Sequence, residues 1–433
     1  MAQILLIADD LTGSNDSGVQ FVRHGFGAAV LFAGQPVTDA ADVIVVDTDS
    51  RGRSPREAYD RTRQAADRLA GTRPALVYKK IDSTLRGNLG AETDAALDAF
   101  CLPVALVAPA FPRIGRTTQE GIQFLHGTPV HETEIGRDPK APVRTSAILD
   151  LLSGQSHRRA GRLTLADLRS GAGAQRIAAL MDEGVSLVVC DAVSEEDLHQ
   201  VAAAGRMLGQ PVLWVGSAGL ADVLPDALGL TPSRALAAED DGTVDGPVLV
   251  AVGSVSDTSR GQLADVLSRS DVTGVEVDTL TLVAGDSAAE AEIARCVAAG
   301  RAALEAGRNL ALYSSVAAAA VARTQAAGQA LGLTPTACSE LVAAAMGRIG
   351  GQLCRETFVG GLVLTGGDTA QAVCQAIGAT GINLLREVAP GIPLGRLVAS
   401  RPYGAITKAG AFGTAQALSL AIDSLRKGVH QNV

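Results

Sequence analysis

LLIADDLTGSNDSGVQ, residues 5–20, is the stretch on which the fold turns. The apolar run Ile4 to Ile7 has the character of a buried parallel strand, and past Ala8 it gives way to two adjacent carboxylates, Asp9 and Asp10. Thr12, Gly13, Ser14 and Asn15 then supply small side chains, hydroxyls and N-cap chemistry, and a helix is predicted to run to about Gly25. In an open α/β sheet a strand, polar turn and helix of this kind place the turn at the edge where ligands bind. An ordinary loop whose acids only cap the helix would read the same way, so this stretch alone leaves both open.

Outward from it, apolar runs recur at helix-length intervals: Ala28 to Phe32, Val43 to Val46, Ala75 to Tyr78 and Val104 to Val107. This alternation predicts a parallel sheet wrapped by helices. Each run ends in a polar segment: DTDSR to Arg51, KKIDSTLRGN from Lys79 to Asn88, and APAFPRIGRTTQEG from Ala108. Parallel strands point one way, so these turns and Asp9–Asp10 are expected to share one edge. Leu187 to Val189 and Val212 to Val215 read as further strands. The segment TPSRALAAEDDGTVDG, residues 231–246, breaks the periodicity and reads as an interdomain linker.

A second α/β unit begins directly after it. PVLVAV, Pro247 to Val252, leads into Gly253, Ser254, Val255, Ser256 and Asp257, and later strands are predicted at Val272 to Val277, Leu310 to Tyr313 and Leu362 to Leu364. In GGLVLTGGDTAQAVCQAIG, residues 360–378, Gly366 and Gly367 let backbone approach a ligand closely. Asp368 and Thr369 open a helix whose free N–H groups favour an anion. Phosphate fits this turn. TKAGAFG, residues 407–413, makes another flexible turn and carries one of the chain's five lysines.

Composition narrows the class. A chain of 433 residues suits two or three domains, and 47% hydrophobic with 3% aromatic residues implies a core of Ala, Val, Leu and Ile. A net charge of −9 and a pI near 5.3 argue against nucleic acid or an anionic membrane as the main partner. The six cysteines show no CxxC pairing and read as reduced thiols of a cytoplasmic protein. Acids arriving at Asp9 make a secretory signal unexpected, and no uninterrupted apolar run reaches membrane length. There is no GxxxxGK[ST], no intact GxGxxG and no GxSxG. His126 and His131, with Glu132 and Glu134, are separated by helix-breaking residues and read as a solvated loop.

Six ordered blocks, ADDLTGSNDSGVQF (8–21), YKKIDSTLRGNLGAE (78–92), APAFPRIGRTTQEG (108–121), GSAGLA (216–221), LTGGDTA (364–370) and TKAGAFG (407–413), resemble the four-carbon acid sugar kinases. Ala411 departs from the KAGGFG that many members carry. The resemblance implies two α/β domains, each a mostly parallel sheet flanked by helices, with the active site in the interdomain cleft. Residues 1–235 would bind the sugar acid, 236–246 would link, and 247–433 would bind nucleotide. ATP, with Mg²⁺, would phosphorylate the terminal hydroxyl of a tetronate.

A tetronate pocket needs cations for the carboxylate, here Arg51, Lys80 and Arg86, and partners for the hydroxyls, here Asp9, Asp10, Asp82 and Ser83. By resemblance Ser254, Ser256, Gly366, Gly367, Asp368, Thr369 and Gly410 would line the ATP site. Asp10 is the first choice for the base that accepts the hydroxyl proton and Asp82 the second, while metal ligands are not assigned. TEIGRDPKAPVRTS, residues 133–146, looks more like D-threonate or D-erythronate kinases than 3-oxo-tetronate kinases. A 3-oxo-tetronate kinase, a non-catalytic sugar-acid-binding protein and a dehydrogenase are the alternatives, and a homodimer is left open. The binding protein would need no phosphate-type turns, and the dehydrogenase lacks its glycine fingerprint.

Overall fold

A short apolar run can be buried on both faces only if helices cover both sides of its sheet, and the chain achieves this twice. In a computed structural model, which describes residues 3–36, 41–72, 74–138, 142–233, 240–315 and 317–426, the chain divides into two compact units, Met1–Leu236 and Ala237–Val433.

The first unit contains β1 (Ile4–Ala8), β2 (Ala28–Leu31), β3 (Val43–Asp47), β4 (Leu76–Lys80), β5 (Ala105–Ala108), β6 (Arg116–Gln119), β7 (Ile122–Leu125), β8 (Thr128–Pro129), β9 (Arg159–Leu163), β10 (Val185–Cys190) and β11 (Leu213–Gly216). Its main sheet runs β2-β3-β1-β4-β11-β5-β10-β9, every pairing parallel. Helix Leu11–Arg23 packs with Ala218–Leu228, and helix Pro55–Ala70 packs with Leu89–Phe100. Leu5, Ile7, Ile44 and Val46 meet Ala65, Ala66 and Leu69, while Val77, Val107 and Val215 meet Leu89, Ala96 and Leu97.

The chain leaves β1 toward β2 on one side and leaves β4 toward β5 on the other, although β1 and β4 are neighbours. Adjacent strands whose connections depart in opposite directions leave a crevice beyond their carboxyl ends. Both Asp9–Asp10 and the loop after Lys80 open onto that crevice. The opening helix spans Leu11–Arg23, two residues short of the expected end at Gly25, and Gly25 adopts φ +86° just beyond it.

One polar turn is more structured than its sequence suggests. APAFPRIGRTTQEG contains β6, which pairs antiparallel with β7, and β7 pairs with β8. Thr and Gln at the paired positions and a tight Glu120–Gly121 turn, both residues at positive φ, hide the hairpin from any apolar-periodicity reading.

The second unit contains β12 (Val248–Val252), β13 (Val272–Val277), β14 (Asn309–Ser314), β15 (Gly361–Thr365), β16 (Gly381–Ala389), β17 (Ile392–Val398) and β18 (Gly404–Lys408), ordered β13-β14-β12-β15-β18-β17-β16. The first five strands of that order pair in parallel, and β17 runs antiparallel to both β18 and β16. Val248, Val250, Val252, Val363 and Ile406 pack with Leu418, Ile422 and Leu425 of helix Ala417–Leu425.

The expected linker 236–246 lies outside the described residues at 236–239. From Asp240 onward it packs on the second unit, where Asp240 pairs with Arg396 and the Val244 amide donates to the Leu425 carbonyl at 2.6 Å. Pro139, Lys140 and Ala141 of TEIGRDPKAPVRTS, and Val316 at the start of the Ala-rich run, also fall outside the described residues. The six cysteines are unpaired and five are buried. Among the described residues no helix is long and apolar enough to cross a membrane.

Candidate functional site

Strand register brings the polar loops of the first unit to one level. Ala8 lies beside Asp47 on β3 and Lys80 on β4, Lys80 lies beside Gly216 on β11, and Gly216 lies beside Ala108 on β5. The segments that follow, Asp9–Asp10, Thr48–Arg51, Ile81–Arg86, Ser217 and Pro109–Arg116, therefore leave the sheet at one edge.

Lys79 and Lys80 show how a strand divides two similar side chains. Successive residues point to opposite faces. Lys79, fully buried, meets Glu92 of helix Leu89–Phe100 at 2.7 Å, and Ser50 Oγ donates to the same carboxylate at 2.8 Å. Burial holds the Glu92 carboxyl above its ordinary range against the pull of Lys79. Lys80 turns instead toward helix Leu11–Arg23: a Cβ at Gly13 would lie 2.8 Å from Lys80 Nζ and 2.4 Å from Asp10 Oδ1. Lys80 is 3% exposed, and among the described residues its ammonium makes no hydrogen bond or ion pair.

Both arginines assigned to the substrate carboxylate are already engaged. Arg51 grips Asp9 through Nε at 2.7 Å and Nη2 at 2.9 Å, and Nη2 also reaches Asp10 Oδ1 at 2.6 Å. Arg86 donates through Nε to Asp82 Oδ2 at 2.6 Å and through Nη1 to Asp138 at 3.3 Å. Gly87, at φ +99°, folds the loop onto this cluster, since a Cβ there would touch Arg51 Cγ at 3.3 Å and Asp9 Oδ2 at 3.4 Å. Leu85 also holds a positive φ, +65°.

The carboxylates differ accordingly. Burial disfavours charge on Asp82, but Arg86, Arg51 and Lys80 more than reverse this and hold its carboxyl well below the usual range. The same contest, decided by Arg51 with help from both lysines, lowers Asp9. Asp10 caps the helix by accepting from the Gly13 amide at 3.0 Å and from Thr12 Oγ1 at 2.6 Å, and its side chain is 16% exposed.

Sequence reading passed over two groups at this edge. Arg116, the first residue of β6, is 4% exposed and donates to Ser83 Oγ; burial lowers its guanidinium to about 10 despite the nearby Asp82 charge. Only the hairpin shows that it turns inward, and no local sequence signal marks it. Asp47 ends β3, 1% exposed, and burial together with the charges on Asp10, Asp49 and Asp9 raises its carboxyl well above the usual range. Its place at the end of an apolar run, like that of Asp9, is the signal that could have found it.

The second unit repeats the arrangement with different chemistry. Val252 lies beside Thr365, and Thr365 beside Lys408, so 253–256, 366–369 and 409–413 start from one edge. A Cβ at Gly253 would strike Thr369 Oγ1, and one at Gly410 would fall 2.0 Å from Ser254 Oγ and 3.4 Å from Ser256 Oγ. Gly366, at φ +93°, precedes helix Gly367–Ala376, has its amide bonded to the Lys408 carbonyl at 3.1 Å, and provides no side-chain cap. The positive φ belongs to Gly366, and Gly367 is already in the helix. Asp368 is exposed in its first turn. The seven residues expected to line an ATP site thus come together here.

An N-terminal unit edged with paired ions and a C-terminal unit edged with glycines and hydroxyls define a two-domain ligand-binding α/β protein. Residues 4–224 match the family described as the sugar-binding N-terminal domain, and residues 249–418 match the nucleotide-binding C-terminal domain. The chain is 38% identical to the D-threonate kinase of Salmonella typhimurium, over 95% of this chain and 96% of that protein. It is 33% identical to the D-erythronate kinase of Heliobacterium modesticaldum, over 98% and 97%, and 32% identical to the 3-oxo-tetronate kinase of Cupriavidus necator, over 94% and 93%. The fold is shared with a solved Salmonella typhimurium LT2 chain at TM-score 0.79 and 24% identity, covering 97% of this chain and 99% of that one. The chain belongs to the four-carbon acid sugar kinase family.

Proposed function

We propose that this sugar-acid kinase transfers the γ-phosphoryl group of ATP to the terminal hydroxyl of D-threonate or D-erythronate, with residues 1–235 binding the acid and 247–433 the nucleotide. The observation that carries the reading is Lys80, a buried ammonium at the crevice between β1 and β4 whose charge helps hold Asp9 and Asp82 low but which makes no hydrogen bond or ion pair among the described residues. A buried ammonium with unused hydrogen-bonding capacity calls for a direct anionic partner. A sugar acid's carboxylate supplies one, whereas Arg51 and Arg86 are held by Asp9 and Asp82.

Each side chain then has a separate duty. Lys80 takes the carboxylate. Asp9, Asp82 and Ser83, fixed by Arg51, Arg86 and Arg116, present acceptors to the hydroxyls. The attacking hydroxyl oxygen forms the new bond to phosphorus as the bond to the ADP oxygen breaks, and its proton passes to a carboxylate. Asp10, whose side chain is partly exposed at the edge, is the first choice for that task; Asp82 is the second, its carboxyl held well below the usual range and therefore a weak acceptor. In the second unit Ser254, Ser256, Thr369 and the backbone at Gly366, Gly367 and Gly410 face the phosphates.

Among the described residues no group of three or more His, Cys, Asp or Glu could hold a metal ion. Mg²⁺ that arrives on ATP needs only one or two protein carboxylates, and Asp368 with the neighbouring hydroxyls fits that donor set. The ion would neutralise charge on the phosphate oxygens.

The test is ADP release with ATP and Mg²⁺ over D-threonate, D-erythronate, L-threonate and 3-oxo-tetronates. Turnover is expected with D-threonate or D-erythronate. Preference for a 3-oxo acid would move the substrate, and silence with all of them would overturn the assignment.

A further inference from the structure

In the second unit five carbonyls of one loop, those of Ala409, Gly410, Phe412, Gly413 and Thr414, accept from buried side chains. Lys408 ends β18 at 1% exposure, and its Nζ donates to the carbonyls of Ala409 at 2.8 Å, Gly410 at 3.0 Å and Phe412 at 3.0 Å. Buried Gln262, on helix Asp257–Leu267, donates through Nε2 to the carbonyls of Phe412 at 2.9 Å, Gly413 at 3.3 Å and Thr414 at 2.9 Å. Ser259 Oγ adds a bond to the Gly410 carbonyl at 3.0 Å. No carboxylate pairs with Lys408 among the described residues. Burial pulls its ammonium down to about 7.

A buried cation spent wholly on backbone carbonyls costs more than a neutral side chain would, so its use needs a reason. Peptide N–H and C=O groups point in opposite directions, and gathering the carbonyls inward turns the amides outward. The amides of Gly410 and Ala411 donate to no atom of the described residues. Gly410 itself packs against Ser254 and Ser256, a fit it makes only because it has no side chain. Successive outward N–H groups form an anion-binding concavity.

We infer that Lys408 and Gln262 are positioning residues that hold Ala409–Gly413 as an amide nest for a nucleotide phosphate. Neither side chain touches the nucleotide; both act through the loop. The inference rests on the assignment of ATP to this unit.

The experiment measures ATP binding by calorimetry on the full chain without sugar acid, and D-threonate binding separately, for the natural chain, Lys408→Met and Gln262→Leu. Each variant should bind ATP about ten- to a hundredfold more weakly, as expected for loss of several hydrogen bonds, one set charge-assisted. D-threonate affinity should hold. Unchanged ATP affinity, or D-threonate affinity that falls in step, would overturn the positioning role alone. If the natural chain itself binds no ATP, the nucleotide assignment fails and this inference with it. Should Lys408→Met not fold, Gln262→Leu, which keeps the ammonium, decides by the same criteria.

Discussion

The two strand-end edges solve different recognition problems with the same topology. The first unit arms its edge with side-chain charge: Asp9, Asp10, Asp82, Arg51, Lys80, Arg86 and Arg116 all crowd the ends of β1, β4 and β5. The second places glycines and hydroxyls at the equivalent ends and buries its lysine behind a loop. A small acid with stereocentres must be read group by group, which takes directional side chains. Phosphates present the same oxygens everywhere, and backbone amides suffice for them. Removing a side chain should therefore harm the first unit, and adding one should harm the second.

The largest expected effect comes from Asp10→Asn. Asn remains a good N-cap, so the helix should survive and the loss should fall on proton transfer. Steady-state kinetics should show kcat down by about 10²–10⁴-fold with the tetronate KM little changed. A raised KM with kcat intact would make Asp10 a hydroxyl anchor and pass the base to Asp82, a weak proton acceptor because Arg86 and Arg51 hold its carboxyl well below the usual range.

Next in size is Lys80→Met. Loss of a charge-assisted contact in a buried pocket costs about 1.5–3 kcal/mol, or roughly ten- to a hundredfold in tetronate KM, with the ATP KM unmoved. Arg86→Gln offers the contrast. It breaks the pair with Asp82 without removing the Lys80 ammonium, so the variant should keep its preference for the acid over the matching sugar alcohol, whereas Lys80→Met should lose it. The reverse result would return the carboxylate to Arg86.

How much of this was legible in advance differs between the two edges. Asp9, Asp10, Lys80 and Asp82 each follow an apolar run, and runs ending at one sheet edge bring their sequels together, so convergence could be read without coordinates. Pairing could not. Which cation is spent on a neighbour depends on side-chain reach across loops 41 residues apart, as in Arg51 to Asp10. Arg116 was hidden because β6 is a polar strand without alternation; β16 and β17 were unread because an antiparallel hairpin broken by polar residues and glycine lacks the continuous apolar run of a buried parallel strand, and β18, though buried and parallel to β15, carries only Ala405 and Ile406 as apolar residues. In the second unit glycine spacing marked the turn but not which glycine bears the unusual backbone.

That last distinction sets the finest test. Gly366 sits at φ +93°, ψ 123°, and an added Cβ would come within 3.3 Å of the Ser254 amide nitrogen, tight but not impossible. This conformation lies outside the left-handed helical basin, and holding an L-residue there costs about 1–3 kcal/mol. Gly366→Ala should therefore weaken ATP by roughly five- to a hundredfold, read as KM or by direct titration, because the turn must relax before phosphate can approach. Gly367 lies in ordinary helical backbone, so Gly367→Ala pays no such conformational cost, and any loss there measures contact between the new methyl and the nucleotide. Equal losses at both positions would mean that phosphate packs against both Cα atoms and that the backbone at Gly366 is incidental. A loss at Gly366 alone would tie ATP affinity to the shape of the turn, the sensitivity expected of an edge that recognises its ligand with backbone rather than with charge.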